Sequence, residues 1–171
     1  MQETFVNKVA ESGIISIDLE SYFPKSDTIV GFDLKPYLFM ELILKEKDFR
    51  AALLNTDWSI YEQKNVAIFC SADAIIPMWA YMLITAYLQP IATNVFFGNI
   101  DELKQHLLIK NIQSIDVDAF ADQRVVVKGC GEIAIPAAAY VVITEMLRKN
   151  AKSIMYGEPC STVPIFKKKN T

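Results

Sequence analysis

Short apolar runs alternate with longer helical segments through the last two-thirds of the chain. The runs predict four strands, Asn65–Cys70, Thr93–Phe97, Arg124–Lys128 and Ser153–Tyr156. The segments between them predict helices near Pro77–Leu88, Ile100–Lys110 and Pro136–Lys149. Strands that alternate with helices form βαβ units with a parallel sheet, and helices cover both faces of such a sheet. We therefore expect an α/β three-layer sandwich whose mostly parallel sheet has the strand order 2-1-3-4, counted from Asn65.

The beginning of the chain has a less regular pattern. Glu3–Ser12 predicts a short amphipathic helix that Gly13 would end, and the alternation of apolar and polar residues over Ile15–Leu19 predicts a strand. A second helix is expected after Asp33, which could cap it, with Pro36 in the first turn. This part predicts a helix and strand extension of the sandwich.

The domain organisation follows from length and from the lack of a linker. A chain of 171 residues has the length of one domain, and no Pro/Gly/Ser-rich stretch divides it. We expect a single α/β domain over residues 1–171. Within it, residues 1–60 would be an N-terminal extension packed on the core, residues 65–157 the repeated βα units, and residues 158–171 a cysteine loop with a basic tail.

Composition and charge narrow the class of protein. The formal net charge is −3, so there is no overall positive field to attract nucleic acid. No charged side chain occurs from Ala74 to Ile100, but Pro77 and Pro90 interrupt this run, and we expect no membrane span. The N-terminus lacks the pattern of a secretory signal. These features predict a cytoplasmic protein that binds neither nucleic acid nor membrane, with three reduced cysteines.

One strand–cysteine–proline–helix pattern occurs twice. Each copy has a cysteine at the end of an apolar strand, then an acidic residue, then a proline that begins a helix. The first copy has Cys70, Asp73 and Pro77, and the second has Cys130, Glu132 and Pro136. A shorter echo follows the last strand over Cys160–Pro164. If all these strands belong to one parallel sheet, the three thiols lie along its carboxyl edge, where open α/β sheets bind ligands.

Three thiolates at one edge allow two kinds of chemistry. Cys70, Cys130 and Cys160 could hold a metal ion, or an iron–sulphur cluster with one open iron. A cysteine ahead of a helix N-terminus could instead act as a nucleophile or accept a persulfide, with Asp73 or Glu132 as acid/base. A third reading is that the cysteines are small buried apolar residues without chemistry.

Several strings of the sequence resemble an uncharacterised bacterial protein family of about this length. They are KEKDFRAAL, VAIFCSADAIIPMWAYMLI, GCGEIAIP and GEPCSTVPIFKK. The family has no established activity, so the resemblance implies no catalytic residue. It does imply a setting, because the genes of this family are often found beside those of the sulfur-mobilisation system that assembles iron–sulphur clusters.

Together these observations favour a cysteine-based accessory or binding protein for iron–sulphur or sulfur handling, with iron–sulphur assembly proteins as partners. A small cysteine-dependent enzyme and a partner-binding structural domain with inert cysteines both stay open. His106, the single histidine, lies in the polar run DELKQHLL and is expected to be exposed on a helix. A catalytic triad through it is therefore not expected.

Overall fold

The strands of the protein form two separate sheets, as a computed structural model covering residues 13–128, 131–158 and 160–169 shows. The seven strands are β1 (Ile14–Ile17), β2 (Ile29–Asp33), β3 (Asn65–Phe69), β4 (Asn94–Phe97), β5 (Arg124–Val127), β6 (Ser153–Glu158) and β7 (Ser161–Lys167). The α-helices are α1 (Glu46–Leu54), α2 (Met78–Leu88), α3 (Ile100–Gln113) and α4 (Ala137–Leu147). The α/β fold with mostly parallel sheets is confirmed.

Each sheet is built around one of the two most apolar strands. The first has the order β2-β3-β4 with both pairs parallel. The second has the order β1-β5-β6-β7, in which only the last pair is antiparallel. Both central strands are buried, β3 over its first four residues and β5 over its last three. This explains their nearly continuous apolar sequences.

The predicted strand order 2-1-3-4 is therefore wrong in one place. The pairs β3–β4 and β5–β6 occur as expected, but β3 and β5 are not neighbours and belong to different sheets. The reason lies in the first 33 residues, which supply a parallel partner to each central strand. β2 occupies the free side of β3 and β1 occupies the free side of β5.

The chain divides into two compact units. We call Pro24–His106 the inserted unit, and Met1–Phe23 with Leu107–Thr171 the terminal unit. One buried cluster includes Phe49, Leu53, Ile84 and Leu88. The other includes Leu108, Ile112, Ile143 and Leu147. Each unit has its own buried cluster, and within residues 1–60 the strands β1 and β2 contribute an edge strand to each sheet.

The two units repeat one another at a constant offset. Asn65 pairs with Asn94, and Arg124 pairs with Ser153, so the offset is 59 residues (124 − 65 = 59 and 153 − 94 = 59). The same offset relates the two 3₁₀ turns Trp58–Tyr61 and Val117–Phe120, and it relates α2 to α4. Two residues with left-handed backbone, Gln63 and Asp122, also correspond. The repeat seen in the sequence is thus a structural duplication without gaps.

The edge strands and one helix depart from the predictions. β2 occupies residues where only the approach to a helix was expected, and α1 begins at Glu46 instead of just after Asp33. Residues 158–171 are not simply a loop and a tail, because Ser161–Lys167 forms β7. The helix expected at Glu3–Ser12 lies outside the described residues. Among those described, no helix is long and apolar enough to cross a membrane.

Candidate functional site

The carboxyl end of the sheet in the inserted unit is held by a pair of polar side chains. Asp33 ends β2, and Ser71 follows β3. The Ser71 amide donates to Asp33 Oδ1 at 2.9 Å, and Ser71 Oγ donates to Oδ2 at 2.5 Å. The Lys35 amide also donates to Oδ1, at 3.0 Å. We call this group the Asp33–Ser71 latch, because it fixes the start of the loop between β3 and α2.

The latch stabilises the ionised form of Asp33. Partial burial raises the pKa of this carboxyl group, but the hydrogen bonds from Ser71 and from the Lys35 amide lower it by more. The pKa of Asp33 therefore lies below its ordinary value of 3.8. A carboxylate that accepts several hydrogen bonds favours its charged form. The loop that follows β3 is consequently anchored at neutral pH.

Cys70 lies beside this latch, between β3 and Ser71. It is half-buried and packs against the core of the inserted unit. Burial raises the pKa of Tyr81, and the nearby Cys70 raises it further. The Tyr81 ring meets the Phe97 ring edge-on, with centroids 5.1 Å apart. The thiol is thus held next to an aromatic pair at the carboxyl end of the sheet.

Large apolar side chains project from the loop after Cys70. Ile75 is 92% exposed and Met78 is 72% exposed. α2 begins at Met78 with Pro77 as its N-cap residue, and no side chain caps it. Because the helix starts this far along the chain, Cys70 does not lie at its N-terminus. The loop instead presents apolar surface.

The corresponding loop of the terminal unit is also anchored by acidic residues. Lys128 Nζ lies 3.2 Å from Asp18 Oδ2, and Glu20 accepts a hydrogen bond from the Ile133 amide. A Cβ on Gly131 would collide with the Glu20 carboxylate, so glycine permits this close approach. Both units therefore tie the loop after the central strand to a carboxylate near the end of the first strand.

The offset of 59 residues changes the correspondence of the cysteines. It matches Cys130 with Ser71, and Cys70 with Gly129 (71 + 59 = 130 and 70 + 59 = 129). Aligning Cys70 with Cys130 instead requires an offset of 60 residues (130 − 70 = 60), one more than the offset of the paired strands. Cys130 and Gly129 themselves lie outside the described residues.

Cys70 and Cys160 do not follow strands of one sheet. Cys70 follows β3 in the inserted unit, whereas Cys160 is exposed between β6 and β7 in the terminal unit. The expectation that adjacent strands carry Cys70 and Cys130 was wrong, because β3 and β5 are not neighbours. Within the described residues, no group of three or more His, Cys, Asp and Glu side chains could hold a metal ion. Ligation by all three cysteines stays a prediction.

The acid/base candidates and the histidine lie on the surface. Asp73 and Glu132 occupy equivalent positions of the two units and are exposed. Neither caps the helix that follows, since Pro77 and Pro136 are the N-cap residues of α2 and α4. His106 is exposed on α3, as expected, with its ring 4.9 Å from that of Phe96.

Sequence reasoning missed Asp33, Ser71 and Tyr81 as members of this site. The sequence marks Asp33 only as a candidate helix cap. The signal that could have identified Asp33 is its position at the end of the short apolar run IVGF. The glycine in this run weakens the strand pattern. Tyr81 was noticed as part of the repeat, but its neighbour Phe97 is revealed only by the pairing of β3 with β4.

Removing the latch should weaken the fold in a pH-dependent way. The lowered pKa of Asp33 means that its carboxylate stabilises the fold above pH 3.8, and that this contribution is lost as the pH falls through the still lower folded-state pKa. We expect Asp33→Asn to reduce the free energy of unfolding at pH 7, and Ser71→Ala to reduce it by about 1 kcal/mol. Urea unfolding at pH 7 and near pH 3 measures both.

The exposed Asp73 supplies the control for the latch. Asp73→Asn should leave the free energy of unfolding unchanged within about 0.5 kcal/mol. The gap between wild type and Asp33→Asn should narrow as the pH falls below 3.8, and it should close only below the still lower folded-state pKa of Asp33, where the carboxyl is protonated in both states. A gap that stays constant with pH would contradict the role of the Asp33 charge.

The fold and this edge define a duplicated α/β protein with a thiol and an apolar loop at the carboxyl end of one sheet. Residues 3–168 match the family described as Protein of unknown function (DUF2480), and the chain belongs to this family. This confirms membership of an uncharacterised family. No curated protein and no solved structure matches the chain.

Proposed function

We propose that the protein is an accessory binding protein, which docks another polypeptide at the carboxyl edge of the inserted unit. The observation that carries the proposal is the exposed pair Ile75 and Met78, which lie in the loop and at the helix start that follow Cys70. Exposed apolar surface on a soluble fold marks a site of interaction. A partner that covers these side chains also reaches the thiol.

The anchoring of the loop supports docking. The Asp33–Ser71 latch holds the first residue after Cys70. At the other end of the loop, Ile76 is buried in the core next to the exposed Ile75. A loop that is fixed at both ends loses little conformational freedom when a partner binds, and preorganisation of this kind favours affinity.

We further propose that the docked partners are iron–sulphur assembly proteins and that the protein takes part in sulfur handling. Two considerations support it: the gene neighbourhood implied by the family resemblance, and the position of the Cys70 thiol at the docking edge. Cys70 would contribute a ligand to a metal ion or cluster whose other ligands come from the partner, or from Cys130 and Cys160. Sulfur is a preferred ligand of iron–sulphur clusters.

Purified proteins test the docking surface. We expect an iron–sulphur scaffold protein from the same cell to bind the wild-type chain, and Ile75→Asp and Met78→Asp to weaken binding at least tenfold by calorimetry. The matched control is Ala134→Asp, because Ala134 is exposed and corresponds to Ile75 in the terminal unit (75 + 59 = 134). Equal binding by all four proteins would contradict the proposed surface.

Iron and acid-labile sulfide, measured after anaerobic purification with the scaffold present, test the role of the thiols. Loss of both in Cys70→Ser alone would support Cys70 acting with partner ligands. Loss in each of Cys70→Ser, Cys130→Ser and Cys160→Ser would support the three-cysteine set. Iron content that is unchanged by Cys70→Ser would contradict sulfur handling at this edge and would leave docking intact.

A further inference from the structure

The two units differ at the outer side of their third strand. In the terminal unit, β7 pairs with β6 over its whole length. The equivalent strand of the inserted unit is β4, and among the described residues it has β3 on one side and no strand on the other. The duplication therefore indicates that an additional strand can pair with the outer backbone edge of β4.

The helix beside this edge has an uncharged outer face. A groove of about 640 Å³ runs along α2 and is lined by Tyr81, Met82, Thr85, Ala86 and Gln89. Met82 is 72% exposed and Phe97, at the end of β4, is 71% exposed. A solvent-facing helix surface normally carries charged residues. This one has none from its first residue to its last.

The terminal unit shows the same place with a strand, β7, at the outer side of its sheet. Positions Ala86 and Gln89 of α2 correspond to Glu145 and Arg148 of α4, which are exposed and charged (86 + 59 = 145 and 89 + 59 = 148). Beside α4, β7 supplies Ile165 as one wall of a smaller cavity of about 360 Å³. Strand cover and surface charge thus occur together in one unit, and among the described residues the other unit has neither at this place.

The edge strands β4 and β7 also differ in whether they contain residues that prevent pairing with a strand of another molecule. β7 contains Pro164 and ends at Lys167, and proline and lysine are the residues that keep edge strands from associating. β4 has the sequence NVFF, with neither residue type. An unprotected apolar edge persists in a soluble protein when another strand covers it.

We propose that two copies of the chain associate through β4 and the outer face of α2, with the two β4 strands antiparallel across a two-fold axis. An isologous interface brings each surface patch against itself, so a charged patch would meet its own charge. The run from Ala74 to Ile100 contains no charged side chain, which makes this patch compatible with itself. The pairing joins two three-stranded sheets into one.

Sedimentation equilibrium of the full chain tests the proposal. We expect the wild type to be a dimer at micromolar concentration, and Met82→Lys and Phe97→Lys each to weaken dimerisation at least tenfold, because two lysines would then face each other. The matched control is Val141→Lys, since Val141 is exposed and corresponds to Met82 in the terminal unit (82 + 59 = 141). Circular dichroism and the melting temperature verify that each variant is folded.

The outcomes separate the possible occupants of the edge. A wild-type chain that stays monomeric at about 100 µM would overturn the proposal, as would a loss of dimer in Val141→Lys equal to that in Met82→Lys. A photoreactive amino acid at position 82 should cross-link one copy to another in purified protein and in cells. Cross-linking only to a different protein would also overturn it and would assign the edge to that partner.

Discussion

Replacement of Phe32 with alanine should lower the free energy of unfolding by about 3–5 kcal/mol. Phe32 lies on β2 and is 1% exposed. Its ring stacks on Tyr37 and Trp58, with centroids 5.5 and 5.9 Å away, and it meets Tyr61 at 5.8 Å. The substitution removes the centre of this aromatic cluster and leaves a cavity that the remaining rings cannot fill without losing their contacts.

Denaturant unfolding followed by tryptophan fluorescence measures this effect, because Trp58 reports directly on the cluster. The control is Phe39→Ala, in which the same side chain is removed from an exposed hairpin position. Lys45 Nζ lies 3.3 Å from the centroid of the Phe39 ring, and loss of this exposed ring should cost less than about 1 kcal/mol. Equal effects of the two substitutions would show that Phe32 is not central to the core.

The strands and helices from Asn65 to Tyr156 were predictable because their patterns are strong. Continuous apolar runs identified β3, β4, β5 and β6, and the prolines Pro77 and Pro136 marked the starts of two helices to within one residue. These signals are local: they depend on periodicity and on the fixed φ of proline. Local signals do not say which strands are neighbours, which is why the strand order failed.

The two missed strands carry weak signals for identifiable reasons. β2 has Gly31 at its centre, and a Cβ there would lie 2.9 Å from the Phe69 ring, so the close approach of β2 to β3 requires glycine. Glycine interrupts an apolar run and lowers its strand propensity. β7 contains Pro164, which is tolerated only because β7 is an edge strand. In both strands the tertiary arrangement overrides the local preference.

The candidate site was predictable only in outline. The sequence placed Cys70 directly after a buried strand, and β3 ends at Phe69, the residue before it. Which residues lie near Cys70 depends on which strands belong to its sheet. β1 and β2 determine the composition of the two sheets, and both come from the part of the chain with the least regular pattern. Matching cysteine to cysteine then concealed the gapless repeat, in which Ser71 corresponds to Cys130.

The duplication predicts paired effects in the two cores. Leu88 of α2 and Leu147 of α4 correspond at the offset of 59 residues and are both fully buried. Each accepts, through its carbonyl oxygen, the amide of the residue four positions on: Ala92 at 2.8 Å and Ala151 at 2.9 Å. We expect Leu88→Ala and Leu147→Ala each to reduce the free energy of unfolding by about 2–5 kcal/mol, through lost burial and the cavity left behind.

Leu54→Ala is the matched control, because it makes the same change at a helical position that is exposed. It should alter the free energy of unfolding by less than about 0.5 kcal/mol. Chemical unfolding of the three variants under one set of conditions gives the comparison. A large cost for Leu88→Ala together with a cost below about 1 kcal/mol for Leu147→Ala would show that the two cores, although equivalent in backbone, do not stabilise the protein equally. In that case the packing of the terminal unit would depend on residues outside the repeated elements. β7 would be the first of these to test, because Phe166 on β7 packs against the same cluster as Leu147.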